Sequence, residues 1–378
     1  MNVLSAFGGI FIDVVGCERA AIVGAVLWTL SSSVSGFVPE VGYLWSVCCC
    51  LNCTAGVLVS LSLNTGYLPS LCDGNKDKMS MWSMMLRSTW DIGQAVGLLV
   101  GMLLAVEQLP LWSLYGMYGL GNGGLMVVMC FLLQRGRPLR EVKSVRQQAT
   151  LYLAVSKDVI ATKLFWGLWF DAAALVTGGF FVIANVGVLF RVKNASVDQV
   201  EFGRKVFVYG LSACGLISAV PGLFVKWLGF KRGVLVGQML GLGLSIAFIL
   251  LVMYGSLTDQ YVAVTLFTLW RIWGFAGINA AIISLLGAQY PTGLGFVFGL
   301  LYTIAGVLSL ALGGYLTHFV NQDPSRFIPV TIGFIVWGIL GNLVGSGAIA
   351  GQDVGASSKS TAEGASCDER SHLVNEDV

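Results

Sequence analysis

Arg271 lies 11 residues from one end and 17 from the other of an apolar run near residues 260 to 288. If that run crosses a bilayer, the guanidinium is near mid-membrane, where a cation costs several kcal/mol unless it is paired or hydrated. It must then face a polar interior. Its planar fork suits a solute carboxylate held by two parallel hydrogen bonds. The alternative is a structural ion pair, with Asp171 as partner, about 12 Å into the run near 163 to 190. Asp171 has another use open to it, taking up and releasing a proton. Asn52, Asn64, Asn185 and Asn279 add uncharged hydrogen-bonding groups within apolar runs. They serve a solute or a neighbouring helix equally well. Trp273, with Phe170, Phe180 and Phe181, offers an apolar wall. Asp91 follows Arg87 by one helical turn, the spacing of a local pair at a helix end.

Other chemistries lack their residues. Cys50 and Cys53 have the spacing of a metal or redox pair, but no second pair or histidine completes a four-ligand site, and His318 and His372 are the only histidines. No metal or cofactor is therefore expected. The nine cysteines read as small packing residues. A phosphate-binding Gly-x4-Gly-Lys-Ser/Thr loop, a Gly-x-Ser-x-Gly elbow and a convergent carboxylate pair are all missing, which argues against a pump driven by ATP and against an enzyme. No basic stripe suggests nucleic acid.

The elements that must position these residues are membrane helices. Of 378 residues, 56% are hydrophobic and only 11% charged, against roughly 25% charged in an ordinary soluble domain. Apolar runs of the roughly 20 residues a bilayer requires recur throughout. They lie near 1 to 13, 20 to 38, 43 to 69, 87 to 106 and 110 to 134, then near 163 to 190, 205 to 225, 232 to 255, 260 to 288, 293 to 317 and 327 to 350. The 49 glycines suit helices that approach closely in lipid. The predicted organisation is a first bundle over 1–134, a linker over 135–162, a second bundle over 163–350 and a disordered tail over 351–378.

Basic residues fall mainly in alternate loops: Arg19; Lys76, Lys78 and Arg87; Arg135 to Lys163; Lys226, Lys231 and Arg232; and Lys359 and Arg370. The positive-inside rule places these loops, the linker and the tail in the cytoplasm. The opposite loops hold Arg191, Lys193, Arg204, Lys205 and Arg326, together with the glycosylation-type triplet Asn194-Ala-Ser196, which lies too close to a span to favour modification. The basic linker fixes topology and can touch anionic lipid, and its stretch Leu151 to Ile160 is mildly amphipathic.

One pattern occurs twice. Gly9-x3-Asp13-x2-Gly16-x2-Arg19 in the first half matches Gly222-x3-Lys226-x2-Gly229-x2-Arg232 in the second, each in a short turn between apolar runs. Two related halves follow. The sequence here resembles the major facilitator superfamily, whose signature loop between helices 2 and 3 has this form, with a degenerate copy between helices 8 and 9. The resemblance implies a two-bundle fold of about eleven membrane helices, the first of the usual twelve being missing, since only about 18 Å of helix precedes Asp13. A misassigned start, a fragment or a truncated form would each explain that. It also implies that the motif residues gate the cytoplasmic side, with Asp13 meeting the start of helix 11 around Tyr290-Pro291-Thr292-Gly293. Helices 1, 4, 7 and 10 would line the central site.

Trp270-Arg271-Ile272-Trp273, Ala288-Gln289-Tyr290-Pro291 and Gly295-Phe296-Val297-Phe298-Gly299-Leu300 look like the L-type amino-acid transporter branch. The expectation is a multi-pass protein of the plasma membrane or an internal membrane, acting alone with lipid around it. It would move a small polar solute, an amino acid by this resemblance, by facilitated or proton-coupled alternating access. Arg271, Asp171, Asn52, Asn185, Asn279 and Trp273 are its candidate binding residues. A receptor or scaffold descended from a truncated transporter is the alternative.

Overall fold

A computed structural model describes residues 5–38, 42–72, 75–106, 145–290 and 293–351, with 119, 123, 124, 127 and 128 between. The span expected near 110 to 134, the basic start of the linker, Pro291 with Thr292 and the tail beyond 351 lie outside the described residues, apart from those five.

The described chain is helical. Helices α1 (Ser5–Val15) and α2 (Cys17–Ser35) are followed by α3 (Tyr43–Tyr67) and α4 (Lys76–Val106). The linker contributes α5 (Val145–Ala161). The second half comprises α6 (Lys163–Ala184), α7 (Val186–Val192), α8 (Val197–Leu228), α9 (Phe230–Tyr254), α10 (Leu257–Gln289), α11 (Leu294–Gln322) and α12 (Pro324–Ala350). Seven of these, α3, α6 and α8 to α12, are long and apolar enough to cross a membrane. The protein is an integral, multi-pass membrane protein. Large apolar side chains such as Leu30, Leu240, Leu250 and Leu343 are exposed on its outer faces, as lipid contact requires.

Both copies of the repeated motif make the same local structure. Gly16 alone separates α1 from α2, and Gly229 alone separates α8 from α9, at φ 97° and 77°. An L side chain is strained in that region, so glycine is what lets each helix reverse in one residue. The boundaries of α8 and α10 differ from the apolar windows because polar caps lie outside them. Ser196 with Gln199 and Ser256 with Asp259 form capping boxes that start these helices on the side opposite the linker. Asp259 accepts from the Ser256 amide and hydroxyl at 2.7 and 2.8 Å, which holds its carboxyl below the usual range.

The largest departure is α4. The apolar window begins at Arg87, whereas the helix begins at Lys76, because Met79, Ser80, Ser83 and Met84 are buried. Arg87 therefore sits about 16 Å inside the helix and is not a loop residue. The run near 163 to 190 is also divided, at Asn185, which has φ −114° and ψ 15°.

Before the linker lie α1 to α4 and after it α6 to α12. They meet where α1 packs on α11 and where α4 packs on α8 and α10. At the first contact the backbones touch: a Cβ on Gly9 would lie 2.1 Å from the Gly295 carbonyl oxygen, and one on Gly299 would lie 2.2 Å from that of Ser5. Small residues four apart are the established means of such approach in lipid.

Candidate functional site

The face of α10 organises the interior. Arg271, Phe275 and Asn279 are spaced by four and so share one side of the helix. The Arg271 side chain crosses α6 where that helix has no side chain, since a Cβ on Gly179 would stand 2.9 Å from Arg271 Nε. Its guanidinium lies over the rings of Phe180 and Phe275, each 5.5 Å from the ring centre. Arg87 of α4 lies over Phe275 at the same distance, and its Nη2 is 3.1 Å from Asp91 Oδ1. The two guanidiniums are thus no further apart than twice 5.5 Å. Cation–π contact helps to hold both. Asn279 accepts a hydrogen bond from the Tyr302 hydroxyl of α11, closing the group on the linker side.

Their hydrogen bonding is incomplete. Asp91 is only 4% exposed, so its single bond to Arg87 is a buried one. Arg87 Nε, Asp91 Oδ2 and Arg271 Nε are buried atoms without a hydrogen-bond partner among the described residues. Arg271 makes no ion pair there at all. A guanidinium offers five donors, and a cation within a membrane-spanning helix is costly unless it is paired or hydrated.

The ion pair expected between Arg271 and Asp171 is not formed. Asp171, buried on α6, turns to α9 and α12 and accepts from Gln238 Nε2 at 3.2 Å, while Ser346 donates to Gln238 Oε1. Gly341 and Gly345 bring α12 against it: Cβ atoms there would lie 3.0 Å from Asp171 Cα and 2.9 Å from Oδ2. The local Arg87 to Asp91 pair does form, but deep in α4 and not at a helix end.

The other candidates disperse. Asn52 donates to the Ser32 hydroxyl, joining α3 to α2. Asn64 donates to the Ser60 carbonyl of its own helix. Asn185 donates to the Phe181 carbonyl at 2.9 Å and to Thr317 of α11 at 3.1 Å. Trp273 packs beside Leu211 and Cys214 of α8, Phe181 stacks on Phe327 and Phe334, and Phe170 meets Trp337. Of the predicted binding residues, Arg271 and Asn279 therefore come together, while Asp171, Asn52, Asn185 and Trp273 bond or pack elsewhere. Arg87, Phe275 and Tyr302 complete the group and escaped sequence reasoning. The four-residue spacing of Arg271, Phe275 and Asn279 was the available signal.

The repeated motif builds a second constellation at the linker end. Phe296 N–H, in the first turn of α11, donates to Asp13 Oδ2 at 3.2 Å, so the carboxylate meets that helix start a few residues beyond Tyr290. Phe230 N–H, which begins α9, donates to Asp77 Oδ1 at 2.7 Å. Each carboxylate sits at a helix N-terminus, where unpaired amides favour negative charge. Gly222 packs against Met84 and Met85, whereas Lys226 and Arg232 are exposed. Ser80 of α4 bonds Ser284 of α10. From α5, Tyr152, Val155 and Val159 are buried, with Tyr152 on Phe296 at 4.7 Å. Burial, and then the nearby Asp13 carboxylate, raise the Tyr152 phenol above its usual range.

Solved structures match this arrangement along most of its length. A bacterial homologue of the iron transporter ferroportin, in an outward-facing state, is 19% identical, with 92% of this chain and 87% of that one covered and a TM-score of 0.64. The fucose:proton symporter of E. coli is 12% identical, over 92% and 87% of the two chains, with a TM-score of 0.64. A crystal structure of that symporter in the outward conformation, described as a Major Facilitator Superfamily transporter, is 12% identical over 92% and 86%, at 0.65. The chain has the major facilitator fold. No family model matches the sequence, and no curated protein does. The single-residue turns at Gly16 and Gly229 lie in the two copies of the repeated motif, and the arginine group lies among α4, α6 and α10.

Proposed function

We propose that this protein is a secondary transporter that moves a small polar solute by alternating access, with the solute held between the helix groups at Arg271. The carrying observation is a half-buried guanidinium on α10 that makes no ion pair among the described residues, with its Nε buried and without a hydrogen-bond partner there, beside Phe180 of α6 and Phe275. Rocking of one bundle against the other exposes such a site to each side in turn. The linker-side contacts are the gate that must open.

An amino acid is the solute class favoured by the resemblance of residues 270 to 300, and Arg271 suits its carboxylate. The solved neighbours are named for other cargoes, iron and fucose. Two guanidiniums in the interior disfavour a cation such as iron. The basic loops support a cytoplasmic linker and tail, in the plasma membrane or an internal membrane, with bundles over 1–134 and 163–350 joined by 135–162.

The test is an uptake panel of radiolabelled amino acids, sugars and organic acids in cells or vesicles. Saturable uptake of at least one solute, reduced tenfold or more by Arg271→Gln, is expected. Absence of saturable uptake of any solute by well-folded protein would refute the proposal.

A further inference from the structure

The charges around Phe275 do not balance. Arg87 and Arg271 each lie 5.5 Å from its ring centre, and the one carboxylate contacting either guanidinium among the described residues is Asp91, which is bound to Arg87. Asp171, the buried acid of α6, is engaged by Gln238 and makes no ion pair with either arginine. One positive charge is therefore left over, and it resides on Arg271, whose side chain has a bare glycine beneath it and aromatic rings beside it. A neutral or zwitterionic solute would leave the surplus in place. A solute with one net negative charge cancels it.

From this imbalance we infer that the transported species is a small organic anion with a carboxylate on Arg271 and an apolar or planar part against Phe275 and Phe180. Within the amino acids, this selects the acidic ones over the neutral ones. The inference rests on the transporter reading for its physiological meaning, but it concerns binding and is measured separately from uptake. Guanidinium and carboxylate match as two parallel hydrogen bonds, and exclusion of water strengthens the pairing. Phosphonate and sulfonate anions also offer two oxygens to a guanidinium, but on a bulkier tetrahedral head in place of a flat one that fits beside the rings of Phe180 and Phe275.

The experiment is equilibrium binding to the purified full chain in lipid nanodiscs, with anion and amide probes of matched shape: L-glutamate against L-glutamine, succinate against succinamide, benzoate against benzamide, and methylphosphonate as the non-planar anion. At least one carboxylate should bind ten times more tightly than its amide and more tightly than methylphosphonate. Arg271→Gln should abolish that preference. Asp91→Asn, which raises the surplus charge, should strengthen carboxylate binding several-fold, and it guards against an Arg271 variant that fails to fold. Equal or tighter binding of the amides, or binding of no carboxylate at all, would overturn the inference. Methylphosphonate binding above all carboxylates would also overturn it. Carboxylate binding without uptake would leave the assignment of a small organic anion to Arg271 standing and would sink the transporter reading.

Discussion

Arg271 is held by what is missing beside it. Gly179 provides the space in which its side chain crosses α6, so a single methyl there displaces the guanidinium from Phe180 without altering any charge. Gly179→Ala is therefore expected to weaken solute binding by about tenfold, roughly 1.4 kcal/mol, with little change in the amount of folded protein; titration of uptake against solute concentration reads this as a raised KM. Asp259 makes a separate prediction at the opposite surface. Its carboxyl is held below its ordinary value of 3.8 by the Ser256 bonds, so its contribution is complete above that pH and disappears as pH falls through the lower folded value. Melting curves in detergent should show wild type above Asp259→Asn near pH 6, with the gap closing as pH falls below 3.8. A gap independent of pH would contradict the capping role. The Arg271 position was legible in the sequence because a cation in an apolar run has few places to go. Its neighbours were not. Arg87 was masked by counting it as a loop cation, since the polar first turns of α4 hide a helix from any hydropathy window.

Elements were legible to the extent that apolar length defines them, and the second half was read nearly end to end. The capped starts of α8 and α10 were missed because Ser196 and Ser256 begin helical turns too polar to count as membrane. The repeat was the most informative element of all, for it carries two devices at once: a left-handed glycine that ends each helix, and a glycine one or two turns earlier that lets neighbours touch. Gly9→Leu should force α1 from α11, at a cost of about 1–3 kcal/mol for overpacking. Accessibility of the α1 to α11 seam to a membrane-impermeant thiol reagent, read at a cysteine placed at Thr303, should rise accordingly. Asp13→Asn keeps an oxygen that can accept from the Phe296 amide and loses only the charge-assisted excess of that bond, about 1 kcal/mol, so it should act in the same direction more weakly. If neither change alters labelling, α1 and α11 do not form a gate.

At the scale of the whole molecule, hydrogen bonds between the two helix groups cluster from the linker end to the middle: Asp13 with Phe296, Asp77 with Phe230, Ser80 with Ser284, and Ser218 with the Ser88 carbonyl. Among the described residues these contacts gather toward the linker side, and two of the solved structures of similar fold are in outward states. Each individual bond is modest, which is what a reversible closure needs: a set of contacts worth a few kcal/mol can be undone by solute binding energy, whereas a fused core cannot. The repeated motif leads to an expectation of two halves but carries no information about which side is closed. The most direct measurement is pulsed electron resonance between spin labels at Lys78 and Arg232, exposed positions on α4 and α9 that flank the linker-side contact. Two distance populations should be present in lipid, with the longer one enriched several-fold by Asp13→Asn and rebalanced by the bound solute. A single distance, unchanged by either, would contradict alternating access.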